Sequence, residues 1–118
     1  MSFTIPIVSH DPNDVLDYEV NWRASTNPVL AESESISTST WAIDGMRVGD
    51  DGVVSTTDGQ CTIMSGGSRD PSVTGDVSKC WVQGGTPGMQ YLLRNRMVTN
   101  ATPSRTFDRS RWLAIDPH

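Results

Sequence analysis

Histidine, lysine and cysteine are scarce in this chain, and each shortage narrows its chemistry. The only histidines are His10, in a His-Asp-Pro-Asn turn, and His118, at the last position. Neither stands near a cysteine in sequence, so a Cys–His or Ser–His nucleophile pair has no evident source. Cys61 and Cys80, without clustered histidine, cannot make a standard zinc site. They read as free thiols, and a cross-strand disulfide stays open if they face each other in a hairpin centred near Asp70. Lys79 is the single lysine among nine basic residues, and arginine suits fixed, bidentate contacts better than diffuse solvation.

Long apolar runs are also missing. None exceeds three or four residues, against roughly 20 for a membrane-crossing helix. The opening Met-Ser-Phe-Thr-Ile-Pro-Ile has no basic start and no apolar run, so no signal peptide is expected. No Gly-x-Ser-x-Gly, phosphate loop or dinucleotide fingerprint occurs. Asp50 and Asp51 beside Gly52 lack the alternating ligands of a calcium loop. Carboxylates fall on predicted loops or outer strand faces, so a small glycosidase-like hydrolase has little support. The expectation is a chain that is no enzyme, with no cofactor, no metal site and no membrane partner.

At 118 residues the chain has room for one domain with one modest core. Its net charge of -5 is divided unevenly. Residues 1–58 hold ten acids against Arg23 and Arg47, whereas residues 59–118 hold seven basic residues against four acids. Such a split either is solvated or favours head-to-tail self-association. Its overall acidity argues against nucleic acid as a partner.

Alternation predicts strands almost throughout. Residues 1–13 read as an extended arm in which Phe3, Ile5 and Ile7 alternate, with Pro6 confining it to a sheet edge. The arm either closes an edge of its own sheet or reaches onto a neighbouring subunit. Residues 14–118 read as the body. Leu16, Tyr18, Val20 and Trp22 share a core face, and Ser37, Ser39, Trp41 and Ile43 share another. Gly45 to Gly52 reads as turn, and Gln60 to Met64 as strand. Ser65 to Asp76, with Arg69 and Asp70, is the longest stretch without predicted structure and therefore a contact loop or a disordered one. Val77 to Gln83 returns as its hairpin partner, with Trp81 as core.

In the next strand Tyr91, Leu93, Asn95 and Met97 share the buried side, so Asn95 needs hydrogen-bond partners. Tyr91, just after a glycine turn, is placed to return its hydroxyl to backbone. Between residues 94 and 111 stand Arg94, Arg96, Arg105, Arg109 and Arg111 against one acid, Asp108. Asp108 is expected to pair one of them and the rest to form a basic patch. Tyr18, Trp22, Trp41, Trp81 and Tyr91 are the expected core anchors, and Trp81→Ala on that reading costs about 3–5 kcal/mol. The sum is an all-β fold, a single immunoglobulin-like β-sandwich of about seven to eight strands with an extended N-terminal arm; a small barrel is the alternative.

Four short motifs then carry a resemblance. Asp11-Pro12-Asn13-Asp14-Val15-Leu16-Asp17-Tyr18 with Trp22, then Ser39-Thr40-Trp41, then Trp81-Val82-x-Gly84-Gly85-x-x-Gly88-x-x-Tyr91 with Asn95-Arg96, then Asp108-Arg109-Ser110 stand in one order over residues 11–115. In this the chain resembles small virion proteins of the tailed-phage neck and tail, including fibre–tail adaptors. The loop Ser65 to Asp76 looks longer than usual for them, and Pro103 stands where a glycine before the arginine is common. The resemblance implies a structural virion component that joins neck, tail and fibre proteins through protein–protein contacts, without catalysis. It implies a multi-copy or homo-oligomeric state in the particle, and a location in the virion after assembly in the host cytoplasm. The arm, the Arg69–Asp70 loop and the arginines are the expected contact surfaces. Head decoration is a variant of this reading. A stand-alone carbohydrate-binding or adhesion module, with tryptophans lining a groove, is the alternative.

Overall fold

The computed structural model describes residues 7–23, 30, 34–48 and 54–116. Eight strands run in chain order: β1 (Ile7–His10), β2 (Val15–Asn21), β3 (Ile36–Val48), β4 (Cys61–Ile63), β5 (Ser72–Thr74), β6 (Val77–Gly84), β7 (Met89–Thr99) and β8 (Thr106–Ile115). The first sheet has the order β1-β8-β7-β3; in the second, β6 is flanked by β2 on one side and by β4 and β5 on the other. The two sheets form an all-β sandwich. Seven to eight strands were expected, and the alternation that predicts β2 and β7 sets their buried faces: Tyr18, Val20 and Trp22 on one, Tyr91, Leu93, Asn95 and Met97 on the other; Leu16, expected on the same face as Tyr18, is a correction, since near the start of β2 it is exposed.

Ile7–His10 joins the chain's own first sheet, parallel to β8, with Ile7 opposite Trp112 and His10 opposite Ile115. Phe3 and Ile5 lie outside the described residues, as do Asp50, Asp51 and His118. β3 is longer than the sequence suggests. Met46–Val48, expected as turn, continues the pairing with β7 because single-residue bulges between Ile36 and Thr38 and between Ile43 and Met46 absorb the irregular stretches.

The excursion after β4 also departs from expectation. Cys61 pairs with Gly84 and Ser72 with Lys79, so eleven steps along one line match five along the other and six residues bulge out. That bulge holds a short 3-10 helix, Gly67–Arg69, and β5 then completes the hairpin with β6. The register also takes the cysteines out of opposition, since Cys61 faces Gly84 and Cys80 faces Tyr18. Both are buried free thiols, pushed up to about 12 by burial.

The core has two parts. The larger contains Tyr18, Cys61, Cys80, Val82, Tyr91, Leu93, Leu113 and Ile115; the smaller contains Val20, Trp22, Leu30 and Met97. Trp41 packs against both. Trp81 is a correction. Strand period 2 places Cys80 and Val82 inward, so Trp81 faces out from the second sheet, half-buried. Trp112 is buried but stands on the outer side of β8, under the Arg47 guanidinium at 4.0 Å.

Candidate functional site

Among the described residues no group of His, Cys, Asp or Glu could hold a metal ion, and the surfaces are the place to look for function. The five arginines of residues 94–111 do not share one face, which corrects the expected basic patch. Arg94 and Arg96 point outward from β7. Arg96 grips Asp108, its cross-strand partner, through two hydrogen bonds of 2.8 and 2.9 Å, and the guanidinium holds the Asp108 carboxyl below the usual range. Arg94 forms an ion pair with Asp44 at 3.3 Å. Arg105, in the turn after β7, is bound by the buried Glu34 carboxylate.

Arg109 and Arg111 project from the opposite side of β8, toward the second sheet. Arg109 lies over the Trp22 ring at 5.2 Å and Arg111 over the Tyr18 ring at 5.8 Å. Arg111 also donates to the Glu19 carbonyl on β2 at 2.7 Å, tying the sheets together. These arginines hold the fold together.

The uneven charge is met in the same way. Carboxylates of the acidic half, Glu34, Asp44, Asp17 and Glu19, pair with Arg105, Arg94 and Lys79 of the basic half. Arg23, from the acidic half, grips Asp76 at 2.6 Å. Sequence alone cannot separate this intramolecular pairing from head-to-tail association, because both need the same charges.

Two surfaces remain conspicuous. On the second sheet Trp81 is flanked by Arg69 at 5.7 Å and Lys79 at 5.5 Å. Asp70 accepts a hydrogen bond from the Gly66 amide and so shapes the bulge that carries Arg69. On the first sheet, Ile7 is 54% exposed at the β1 edge. The four tryptophans do not gather into a groove: Trp22 and Trp112 are buried, Trp41 fills the core, and Trp81 sits under its cations.

The motif spacing from Trp81 to Tyr91 has a structural cause. Gly84 has φ +81°, and a Cβ there would stand 2.2 Å from the Gln60 carbonyl oxygen. That carbonyl accepts from the Gly85 amide at 2.9 Å, which locks β4 to the β6–β7 turn. Tyr91 accepts from the Thr86 amide at 2.9 Å and donates to Asp58, as its position after the turn suggests. Desolvation raises the Asp58 carboxyl, but hydrogen bonds from Thr86, Gln60 and Tyr91 outweigh it and leave the group below its ordinary value. Sequence reading missed Asp58, whose partners lie 28 and 33 residues away. Asn95 has the partners it needs: it accepts from Trp22 Nε1 at 2.9 Å and donates to Ser39 Oγ at 2.8 Å and the Thr40 carbonyl at 3.1 Å.

Trp22, Ser39-Thr40-Trp41 and Asn95 thus meet at one point of the core, and the Gly84–Tyr91 turn and the Asp108–Arg96 pair complete a frame built from all four sequence motifs. The frame defines an all-β sandwich whose motif residues set its turns and core. The chain belongs to the family described as "Podophage GP4 fiber-tail adaptor protein gp77", whose sequence profile matches residues 10–114. Comparison with curated proteins and with solved structures gives no significant match.

Proposed function

We propose that this protein is a structural adaptor of a tailed-phage virion that joins tail and fibre proteins through protein–protein contacts and catalyses no reaction. The observation that carries the reading is the family match over residues 10–114, nearly the whole sandwich. The fold supports it in physical terms. Its motif residues are spent on turn and core geometry, leaving sheet edges and outer faces for partners. The N-terminal arm of residues 1–13 and the body of residues 14–118 divide the work. Ile7 continues the arm's contact surface at the β1 edge, and the Arg69–Asp70 bulge beside Trp81 offers another.

The arginines are poorer contact candidates than their number suggests. Arg109 and Arg111 face the second sheet and Arg96 is held by Asp108, so Arg94 and Arg105 keep a contact role only while also pairing Asp44 and Glu34.

The test is to produce particles without the protein and image them. Tails lacking fibres, restored by supplying the protein, are the expected result. Particles with a full fibre complement in its absence would overturn the adaptor reading.

A further inference from the structure

β1 is held to the sandwich by few contacts. It is four residues long, and among the described residues it pairs with β8 alone. Ile7 and Ser9 are exposed, and Val8 is half-buried against the larger core. His10 is the one fully enclosed residue of the strand, at 1% exposure. The deepest anchor of β1 is therefore also its only titratable side chain.

The enclosure suits a neutral ring. Nδ1 lies 2.8 Å from the Tyr18 hydroxyl on β2, and Nε2 is buried with no hydrogen-bond partner. A neutral imidazole protonated on Nδ1 presents only a lone pair on the Nε2 side. An imidazolium carries a proton on both nitrogens, so its Nε2–H would have no acceptor while its charge sits out of water. The charged groups around it are Asp11 and Asp14 of the β1–β2 turn and Asp116 after β8. Tyr18 itself, pushed up to about 12, stays protonated, and Arg111 of β8 stands over its ring at 5.8 Å. The three carboxylates favour the imidazolium, but burial outweighs them.

The rest of the fold does not lean on β1. β2 has its own seven-residue ladder with β6 in the second sheet. The β1–β2 turn is closed locally, by the Asp14 amide on the Asp11 carbonyl at 2.9 Å and the Asn13 amide on the Asp11 carboxylate at 2.8 Å. Release of β1 breaks its short ladder with β8 and the bond from the Asp116 amide to the His10 carbonyl at 3.0 Å.

We infer that β1 is a pH-gated strand: protonation of His10 in mildly acidic solution expels the ring, frees Ile7–His10 and bares the β8 edge while both sheets otherwise stay folded. The N-terminal arm then has two states, docked on its own sheet or free of it. In the free state β8 presents unpaired backbone groups.

The inference is independent of the adaptor reading, since it concerns the purified chain alone. Its test is amide hydrogen exchange, read residue by residue by NMR between about pH 7.5 and pH 5.5 and corrected for the intrinsic rates. Linkage to one proton makes the opening of residues 7–10 rise by up to about tenfold per pH unit below 6.5. The β2 and β7 amides are expected to keep their protection over the same range. In His10→Asn, whatever its level of protection, the opening of residues 7–10 is expected to be independent of pH; circular dichroism checks that this variant folds. Constant protection of residues 7–10 in the wild type would overturn the inference. So would loss of protection in β1, β2 and β7 together, which would make His10 a contributor to global stability only. A pH response that persists in His10→Asn would assign the effect to another group and overturn it equally.

Discussion

Asn95 and Trp81 show how differently two residues on strands successive in the chain respond to burial. Asn95 is fully buried between a tryptophan donor and two oxygen acceptors, so Asn95→Ala strands the Trp22 N–H in the core. An unsatisfied buried group costs about 1–3 kcal/mol, and urea unfolding of Asn95→Ala should show a loss of that size. Trp81 was expected to behave as a core anchor. Facing outward beneath Arg69 and Lys79, it loses only partial burial and two cation–π contacts on substitution. Trp81→Ala is therefore expected to cost about 1 kcal/mol. Global unfolding of this variant would return Trp81 to the core. The sequence offered Val77 to Gln83 as strand. Lys79 and Gln83 share the face of Val77 and Trp81, and Cys80 and Val82 share the other, so strict alternation does turn Trp81 outward; its size alone argued for the core.

At the scale of the element, the β6–β7 turn is the most constrained piece of the chain. Gly84 combines a left-handed backbone with an approach to the Gln60 carbonyl that leaves no space for a methyl group. Gly85, at φ +116°, would place a Cβ 2.5 Å from Ile115 Cδ1. Backbone strain of this kind costs about 1–3 kcal/mol before any clash is counted. Gly84→Ala is expected to destabilise by more than that, because the opposing atom is backbone and cannot rotate away. A thermal melt within a degree or two of wild type would contradict this picture of the turn. The glycines are readable as a turn from sequence, but the partner that makes them obligatory, Gln60, lies 24 positions upstream and is visible only when β4 lies beside β6. β3 teaches the converse. Its turn-like residues Asp44 and Gly45 are accommodated as a bulge because β7 offers a long ladder on which to continue.

For the whole molecule, stability depends on how the two sheets are joined. β1 leads into β2 across the sandwich, and His10 is buried there with its Nδ1 2.8 Å from the Tyr18 hydroxyl. Burial lowers the His10 pKa, against the weaker raising influence of Asp14, Asp11 and Asp116. The folded chain thus binds this proton less readily than the unfolded chain does. The stability gained is complete above the ordinary value of 6.5 and is lost as the pH falls below it. The melting temperature should drop between about pH 7 and pH 5, and the drop should be smaller in His10→Asn. Equal slopes for the two proteins would remove His10 from the acid response.

Strand content, the buried faces of β2 and β7, the need of Asn95 for partners and the role of the Tyr91 hydroxyl followed from the sequence itself. Each depends on local alternation or on a turn adjoining the residue. The four ordered motifs likewise carried the family, since they are the turn and core residues that this sandwich requires. Tertiary structure alone decided where the charges go. Glu34 meets Arg105 across 71 positions, and Arg109 and Arg111 turn toward the second sheet instead of solvent. A charge's partner is set by which strands become neighbours, and that depends on sheet order. Sheet order also put β3 at the end of the first sheet and β7 inside it, a distinction that two strands of similar length do not carry within themselves.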